Sequence, residues 1–415
     1  MPLDWLTNDG RLIIAARIAR AFAYGFLSIV LAIYLKLTGL TDPVIGLILT
    51  ATLVNSVLFT LLASFYADRI GRRKMLILYA TLMSISGVIF VVTDNYVVLI
   101  IAALMGTINV TGSETGAFLS IEQALMPQTV NDSKKRNTMF ALYNMAGTFA
   151  MAAGILLAGL PSTLQQQYEI SQVDAIKPLF LLYSSFGIIL VGIYFSLSSR
   201  IELSSVDTAK PFSQALSPKS KTIVCKLSGL FAVDSFAGGF VIQSIVSFWF
   251  FSKFGLELTT LSYIFSVAGV LTAFSFLGAA KIADKIGLVN TMVFTHIPSN
   301  VLLILVGFAP TPLLAIVFYL GRMALSQMDV PTRQSYIVAV VSEEERTSAA
   351  AITNISRNIS QAISPSLTGS ILQLLPLLSA PFVLGGVLKL AYDLALYFQF
   401  RNIKPDEEKA GGSLN

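Results

Sequence analysis

"ADRIGRRKMLILYA", Ala67–Ala80, and "AKIADKIGLVNTM", Ala280–Met292, share one turn, Ala-Asp-basic-Ile-Gly, starting at Ala67 and again at Ala283. Each copy joins two long apolar runs. Glycine permits a tight turn where a side chain would collide, and an aspartate at that point can face the positive N-terminus of a helix. A chain that repeats this device in each half is built from two related bundles of membrane helices.

Composition agrees. Of 415 residues 55% are hydrophobic and only 12% charged, with a mean hydropathy of +0.74. A soluble chain carries about 25% charged residues. Runs of about 20 apolar residues, enough to cross a bilayer, recur throughout, so the chain is polytopic. The pI near 9.1 does not signal nucleic acid, because the basic residues sit in short loops between apolar runs. One cysteine, Cys225, and one histidine, His296, exclude a disulfide framework and a Cys/His metal site, and no cofactor is expected. His296 reads as a packing residue inside an apolar run, which leaves carboxylates for any proton handling. The N-terminal apolar run, broken by Arg17 and Arg20, reads as a retained first membrane helix and not as a cleaved signal.

Twelve crossings are predicted, at 12–35, 44–66, 75–92, 97–126, 139–160, 178–197, 222–251, 258–280, 289–308, 312–341, 348–372 and 381–400. The fold class is thus all-α, with twelve transmembrane helices in two pseudo-symmetric six-helix bundles. The division is 1–199 for the first bundle, 200–221 for a Ser/Pro/Lys-rich linker, 222–400 for the second bundle and 401–415 for a tail. Lys and Arg cluster on one side: Arg69, Arg72, Arg73 and Lys74 in one loop, Lys134, Lys135 and Arg136 in another. Both termini and the linker are therefore expected in the cytoplasm. The repeat extends beyond the loop. "AFAYGF" at Ala21 echoes "SFAGGF" at Ser235, and Arg136 with Asn144 recurs as Arg346 with Asn354. Paired six-helix halves describe a transporter architecture.

The stretch Ser64–Lys74, "SFYADRIGRRK", resembles the loop signature of the major facilitator superfamily, G-x-x-x-D-(R/K)-x-G-(R/K)-(R/K). Asp68, Arg69, Gly71, Arg72 and Arg73 match, and Ser64 replaces the first glycine. The second copy keeps Asp284, Lys285 and Gly287 and loses the trailing basic pair. The resemblance implies a cytoplasmic gate in which Asp68 faces the start of helix 11, near Arg346, and Asp284 faces the start of helix 5, near Arg136. It also implies that helices 1, 4, 7 and 10 line a central cavity.

An ionisable group at the bilayer centre costs at least about 2.5–3.5 kcal/mol, so each one needs a partner or a cavity. Arg20, Asp234, Arg322 and Arg357 fall near mid-depth, with Glu114 and Asp329 toward the cytoplasm and Glu122 and Arg333 closer still. Residues three and four apart share a helix face. Arg17, Arg20, Tyr24 and Ser28 form one stripe; Thr107, Thr111, Glu114, Phe118 and Glu122 a second; Arg322, Ser326, Asp329, Arg333 and Tyr336 a third; Asn354, Arg357, Gln361 and Pro365 a fourth. Helices 3, 6, 9 and 12 read as almost free of such charge. The candidate substrate and coupling set is Arg20, Tyr24, Glu114, Asp234, Arg322, Asp329, Asn354 and Arg357, with Glu114 and Asp234 as proton carriers; the competing reading is closed structural ion pairs.

The expected function is secondary active transport of a small solute by alternating access, proton-coupled through buried carboxylates, with export weighed ahead of uptake. The alternatives are an uncoupled facilitator or organic-ion uniporter and a non-transporting membrane sensor. No phosphate-cradling loop is present, and no nucleophile–base pair suggests an enzyme. The expected partners are a small-molecule substrate, protons and the lipid bilayer, in a monomer of the plasma membrane, with no metal and no nucleic acid.

Overall fold

The computed structural model describes residues 5–113, 116–130, 136–202, 216–342, 345–374 and 378–403. Sixteen α-helices occur among them, with one isolated bridge, Leu6 to Val130. In chain order the first eight are α1 (Asn8–Leu37), α2 (Asp42–Ile70), α3 (Arg72–Val92), α4 (Tyr96–Met105), α5 (Ala117–Leu125), α6 (Arg136–Leu157), α7 (Leu160–Tyr168) and α8 (Gln172–Phe195). The rest are α9 (Pro218–Gly239), α10 (Gln243–Phe254), α11 (Leu258–Ile286), α12 (Leu288–Phe308), α13 (Pro312–Ser326), α14 (Asp329–Ala339), α15 (Arg346–Leu374) and α16 (Ala380–Phe400).

Twelve crossings are consistent with this order, and ten described helical segments are long and apolar enough to span a bilayer. Four predicted helices are broken, and local chemistry explains each break. In the fourth crossing, Asn109 Oδ1 accepts from Thr111 N at 2.9 Å while Asn109 Nδ2 donates to the Ser113 carbonyl at 2.6 Å. These side-chain bonds offer the backbone an alternative to the helix, and Gly112 and Gly116 take φ of 78° and 111°. The continuous helix expected over 97–126 is therefore two short ones, α4 and α5, and its polar stripe does not exist as a single face. In the fifth crossing, Gly159 and Pro161 separate α6 from α7. Gly238 and Gly239 end α9 in the seventh. In the tenth, Pro331 near the start of α14 has no N–H to continue α13 across Gln327 and Met328. The turn between the second and third crossings is as read: Gly71 has φ 109°, and Gly287 at the equivalent place has φ 85°.

The chain forms two compact units, Met1–Thr208 with Ile242–Ser266, and Ala209–Val241 with Val267–Asn415. Residues 242–266 pack with the first unit although they follow the linker. Small residues make this possible: Ser244 and Ser247 of α10 donate to the Ser28 and Ile29 carbonyls of α1 at 2.7 and 3.0 Å. The centre of the first unit is α1, nearly all buried from Ala21 to Leu35. It lies so close to α6 that a Cβ at Gly154 would run into the Phe22 carbonyl and one at Gly25 into the Met151 carbonyl. The second unit is built on α9, α12, α15 and α16, with a core that includes Leu227, Phe231, Met292, Tyr336, Tyr392 and Phe400. The helix α15 is long but rich in Ser, Thr and Asn, as suits one surrounded by protein more than by lipid.

Gly154→Ala is expected to lower the thermal midpoint of the detergent-purified protein, because the backbone of α1 cannot retreat; overpacking of this kind costs about 1–3 kcal/mol. Gly192→Ala, with nothing within 4 Å of the added carbon, is expected to leave the midpoint unchanged or raise it. Equal midpoints for the two variants would overturn the close-packing account.

Candidate functional site

Each unit encloses a cluster of charge, and the two clusters differ in kind. In the first, Arg20 of α1 meets Glu122 of α5 in a two-pronged pair, Nη1 to Oε1 at 2.9 Å and Nη2 to Oε2 at 2.6 Å. Two phenols complete the carboxylate: Tyr143 Oη donates to Oε2 at 2.5 Å and Tyr194 Oη to Oε1 at 2.7 Å. The guanidinium also lies 4.6 Å over the Phe118 ring. Both charged side chains are 0% exposed. Every strong acceptor position is taken, so this is a closed pair that ties α1, α5, α6 and α8 together. Arg20 belongs to this pair; its place opposite Asp234 in the internal repeat is a likeness of position and not of role. The break in the fourth crossing brings Glu122 to it. Glu114 lies outside the described residues.

Beside the pair is a small pocket, lined by Tyr24, Asn55, Phe59, Thr107, Asn109 and Phe118 among others. Its wall is the unwound stretch after α4. Non-helical backbone at membrane depth is tolerated where it is buried in protein or lines a cavity, and here it lines one. Tyr24 lines this pocket and is 2% exposed.

The second cluster is an extended chain of charges. Asp234 of α9 holds Lys389 Nζ of α16 at 2.5 Å and Arg333 Nη1 of α14 at 3.6 Å. Arg333 Nη1 is also 2.6 Å from Asp329, the intrahelical pair that the spacing predicts. On the other side of Asp234, His296 Nε2 of α12 stands 4.0 Å away. His296 Nδ1 is 2.7 Å from Asp393, whose second oxygen accepts from Asn300 Nδ2 at 2.8 Å. All of these groups are buried.

Two sequence expectations fail here. The ninth and twelfth crossings are not free of charge, since they supply His296, Lys389 and Asp393. His296 does not sit among apolar groups but bridges two aspartates. Lys389 and Asp393 have no counterpart in the first half, so a search led by the repeat passes over them. Their i, i+4 spacing inside the apolar run 381–400 was the available signal.

The other predicted residues are not gathered into the pairs. Arg357 Nε donates to Ser235 Oγ at 3.0 Å. Arg322 Nη1 lies 3.4 Å from the Met323 sulfur, and its Nε has no hydrogen-bond partner. Both arginines are half-buried and neither has a carboxylate within 4 Å among the described residues. Asn354 is exposed.

At the gate, the side chains of Asp68, Asp284 and Arg136 lie outside the described residues. Arg69 and Arg346 are exposed, and Arg72 is buried. The start of α3 is held by a group the sequence reading missed: Glu202 accepts from the backbone N–H of Arg72 at 2.8 Å and of Arg73 at 3.1 Å. Arg73 in turn donates to the Phe195 carbonyl at 2.5 Å. A second carboxylate does the same for α9. Glu345 accepts from the Ser217 N–H, the Ser220 hydroxyl and the Ser342 hydroxyl at 2.5, 2.6 and 2.8 Å. The Ser217 backbone bond first, and then the serine hydroxyls, hold its pKa down to about 2. These serines cover Glu345, which is 7% exposed, although it stands at the surface end of the helices.

A helical bundle of apolar crossings, broken at polar pockets and holding buried charge, defines a polytopic membrane transporter. The family model of the Major Facilitator Superfamily matches residues 13–365, and the chain belongs to that superfamily. It is 26% identical over 427 residues to an uncharacterized membrane protein of Saccharomyces cerevisiae, covering 96% of this chain and 95% of that one. Among solved structures it is similar to the nucleoside transporter NupG, with a TM-score of 0.75 at 13% identity over 95% of this chain and 100% of that one. A D-xylose–proton symporter gives a TM-score of 0.72 at 14% identity over 96% and 98%. These likenesses show the fold.

Glu122→Gln is expected to be severely destabilising, by about 3–5 kcal/mol, because it leaves Arg20 buried without a counter-charge. A large fall in the thermal midpoint checks this. A midpoint within a degree or two of the wild type would show that Arg20 finds another partner.

Proposed function

We propose that the protein is a secondary active transporter that moves a small solute by alternating access, with protons as the coupling ion and Asp234 as the coupling carboxylate. The observation that carries this reading is the position of Asp234, a membrane-buried carboxylate held at once by Lys389, Arg333 and, at longer range, His296. Intramembrane carboxylates that contact several charged groups are suited to proton relays. A proton arriving from one aqueous side forms an O–H on Asp234 and removes the negative charge that holds Lys389 and Arg333. Its departure to the other side restores both pairs. Asp329 and the His296–Asp393 pair are close enough to take part in the same exchange.

In proteoliposomes carrying a lumenal pH dye, a transported solute is expected to drive proton movement in the wild type and none in Asp234→Asn, with solute exchange retained. Because Asp234→Asn leaves Lys389 without its partner, Asp234→Asn/Lys389→Gln is the matched control for folding. Solute-driven proton flux at the wild-type level in both variants would overturn the role of Asp234 and move the coupling to another carboxylate; solute flux without proton movement in the wild type would leave an uncoupled facilitator.

The asymmetry of Lys and Arg supports a plasma-membrane orientation with linker and tail in the cytoplasm. Reporter fusions within 203–215 and after Arg401 are expected to read cytoplasmic; an external signal from either would overturn the orientation.

A further inference from the structure

We infer that the solute is an organic or inorganic anion bearing a carboxylate or phosphate-like group, and that Arg322 and Arg357 of the second unit hold it; this rests on the transporter reading above. The membrane-embedded parts of α9, α12, α13, α14, α15 and α16 carry the aspartates 234, 329 and 393 and the cations Arg322, Arg333, Arg357 and Lys389, besides His296. The three aspartates are all engaged. Asp234 is taken by Lys389 and Arg333, Asp329 by Arg333, and Asp393 by His296 and Asn300. Four cations thus meet three aspartates, a surplus of one positive charge with His296 neutral, and of the four only Arg322 and Arg357 have no carboxylate within 4 Å among the described residues.

These two arginines stand about midway along their helices. Arg322 is the eleventh residue of the span Pro312–Ile337, and Arg357 the twelfth of Arg346–Leu374. At a 1.5 Å rise each is about 15 Å from the helix start, close to half the thickness of a hydrocarbon core. An ionised group at that depth is costly unless paired. Arg20 in the first unit shows how this chain pairs an arginine it means to keep: fully buried, with a two-pronged carboxylate and two phenols. Among the described residues, Arg322 has the Met323 sulfur at 3.4 Å and a buried Nε with no acceptor. Arg357 is steadied through Nε by Ser235 Oγ at 3.0 Å, which leaves the outer edge of its guanidinium for a ligand. Both are half-buried, so they can be reached. Ser235 adjoins Asp234 in sequence, so its bond to Nε holds Arg357 on the residue next to that carboxylate.

The planar fork of a guanidinium matches a carboxylate or phosphate with two parallel bonds. A neutral solute would leave both charges unmatched, and a cation would add to the surplus. The adjacency to Asp234 also gives a reason for coupling. When Asp234 takes a proton, one negative charge near Arg357 disappears, and the attraction of Arg357 for an incoming anion increases. Proton and anion are therefore expected to bind in support of one another.

The test is equilibrium binding to purified protein without any gradient. Inorganic phosphate, succinate and benzoate are compared with glucose, uridine and tetraethylammonium by thermal shift and calorimetry. At least one anion is expected to bind, more tightly at pH 5.5 than at pH 7.5. Arg322→Gln and Arg357→Gln are expected to weaken it by about tenfold or more each, with Arg→Lys at either site intermediate. The ligand-free thermal midpoints of the two Gln variants are expected to stay near the wild type, since neither arginine gives up an ion pair. The inference is overturned if no anion binds, if only uncharged or cationic probes bind, or if anion binding survives both Gln substitutions. A steep fall in the ligand-free midpoint of both variants overturns it too, since each arginine would then have a counter-charge within the protein. The outcomes remain separable from the transporter reading: flux of a neutral or cationic solute that depends on Asp234 sustains transport and rejects the anion. Anion binding with no flux of any kind does the reverse.

Discussion

A charge placed within a membrane-spanning helix must meet an opposite charge, a set of strong dipoles or water, because hydrocarbon supplies none of them. In this protein that requirement organises both units. Arg20 enters the bilayer on the most buried helix of the chain, and the fold responds by bringing Glu122, Tyr143 and Tyr194 to it from three other helices. The result resembles a pin through the first unit. In the second unit the same requirement is met by a linear run, Asp393, His296, Asp234, Arg333 and Asp329, with Lys389 set against Asp234. A closed pair is satisfied and inert. A run in which Asp234, Arg333 and His296 each face two charged neighbours can redistribute protons or partners at lower cost, which is why a coupling role is proposed for the second unit.

The helix breaks serve the same end by different means. The fourth crossing is interrupted because Asn109 and Thr111 compete for backbone bonds and glycines follow them. The consequence is spatial. Shortening α4 and displacing α5 allows Glu122 to reach Arg20 and exposes main-chain groups to the pocket beside Tyr24. The break after Gly239 separates α9, which carries Asp234 into the second unit, from α10, whose serines pack on α1 in the first. Close packing through glycine and serine replaces the hydrophobic drive that lipid cannot provide. Gly154 of α6 belongs to this scheme: it accepts the backbone of α1 at Phe22.

Much of the architecture was legible in the order of residues. Long apolar runs, the twice-used turn with Gly71 and Gly287, and the steep placement of Lys and Arg give the membrane class, the count of crossings and the superfamily. The spacing of Asp329 and Arg333 gave their pair. The sequence also flagged Arg322 and Arg357 as costly at mid-depth, and neither has a carboxylate within 4 Å among the described residues.

What escaped that reading shares one physical feature: it depends on which helices become neighbours. Helical periodicity tells which residues share a face, and membrane thickness tells their depth, because both follow from a fixed rise per residue. Neither tells which face of α16 turns toward α9, so Lys389 and Asp393 passed unnoticed and His296 read as packing. Neither foresees that a polar turn will move Glu122 toward Arg20. Composition and local geometry thus determined the class of protein, the repeat and the list of charges that need partners. Only the tertiary structure decided the partners, since an ion pair is a relation between distant segments set by the packing of small residues and the breaks in helices.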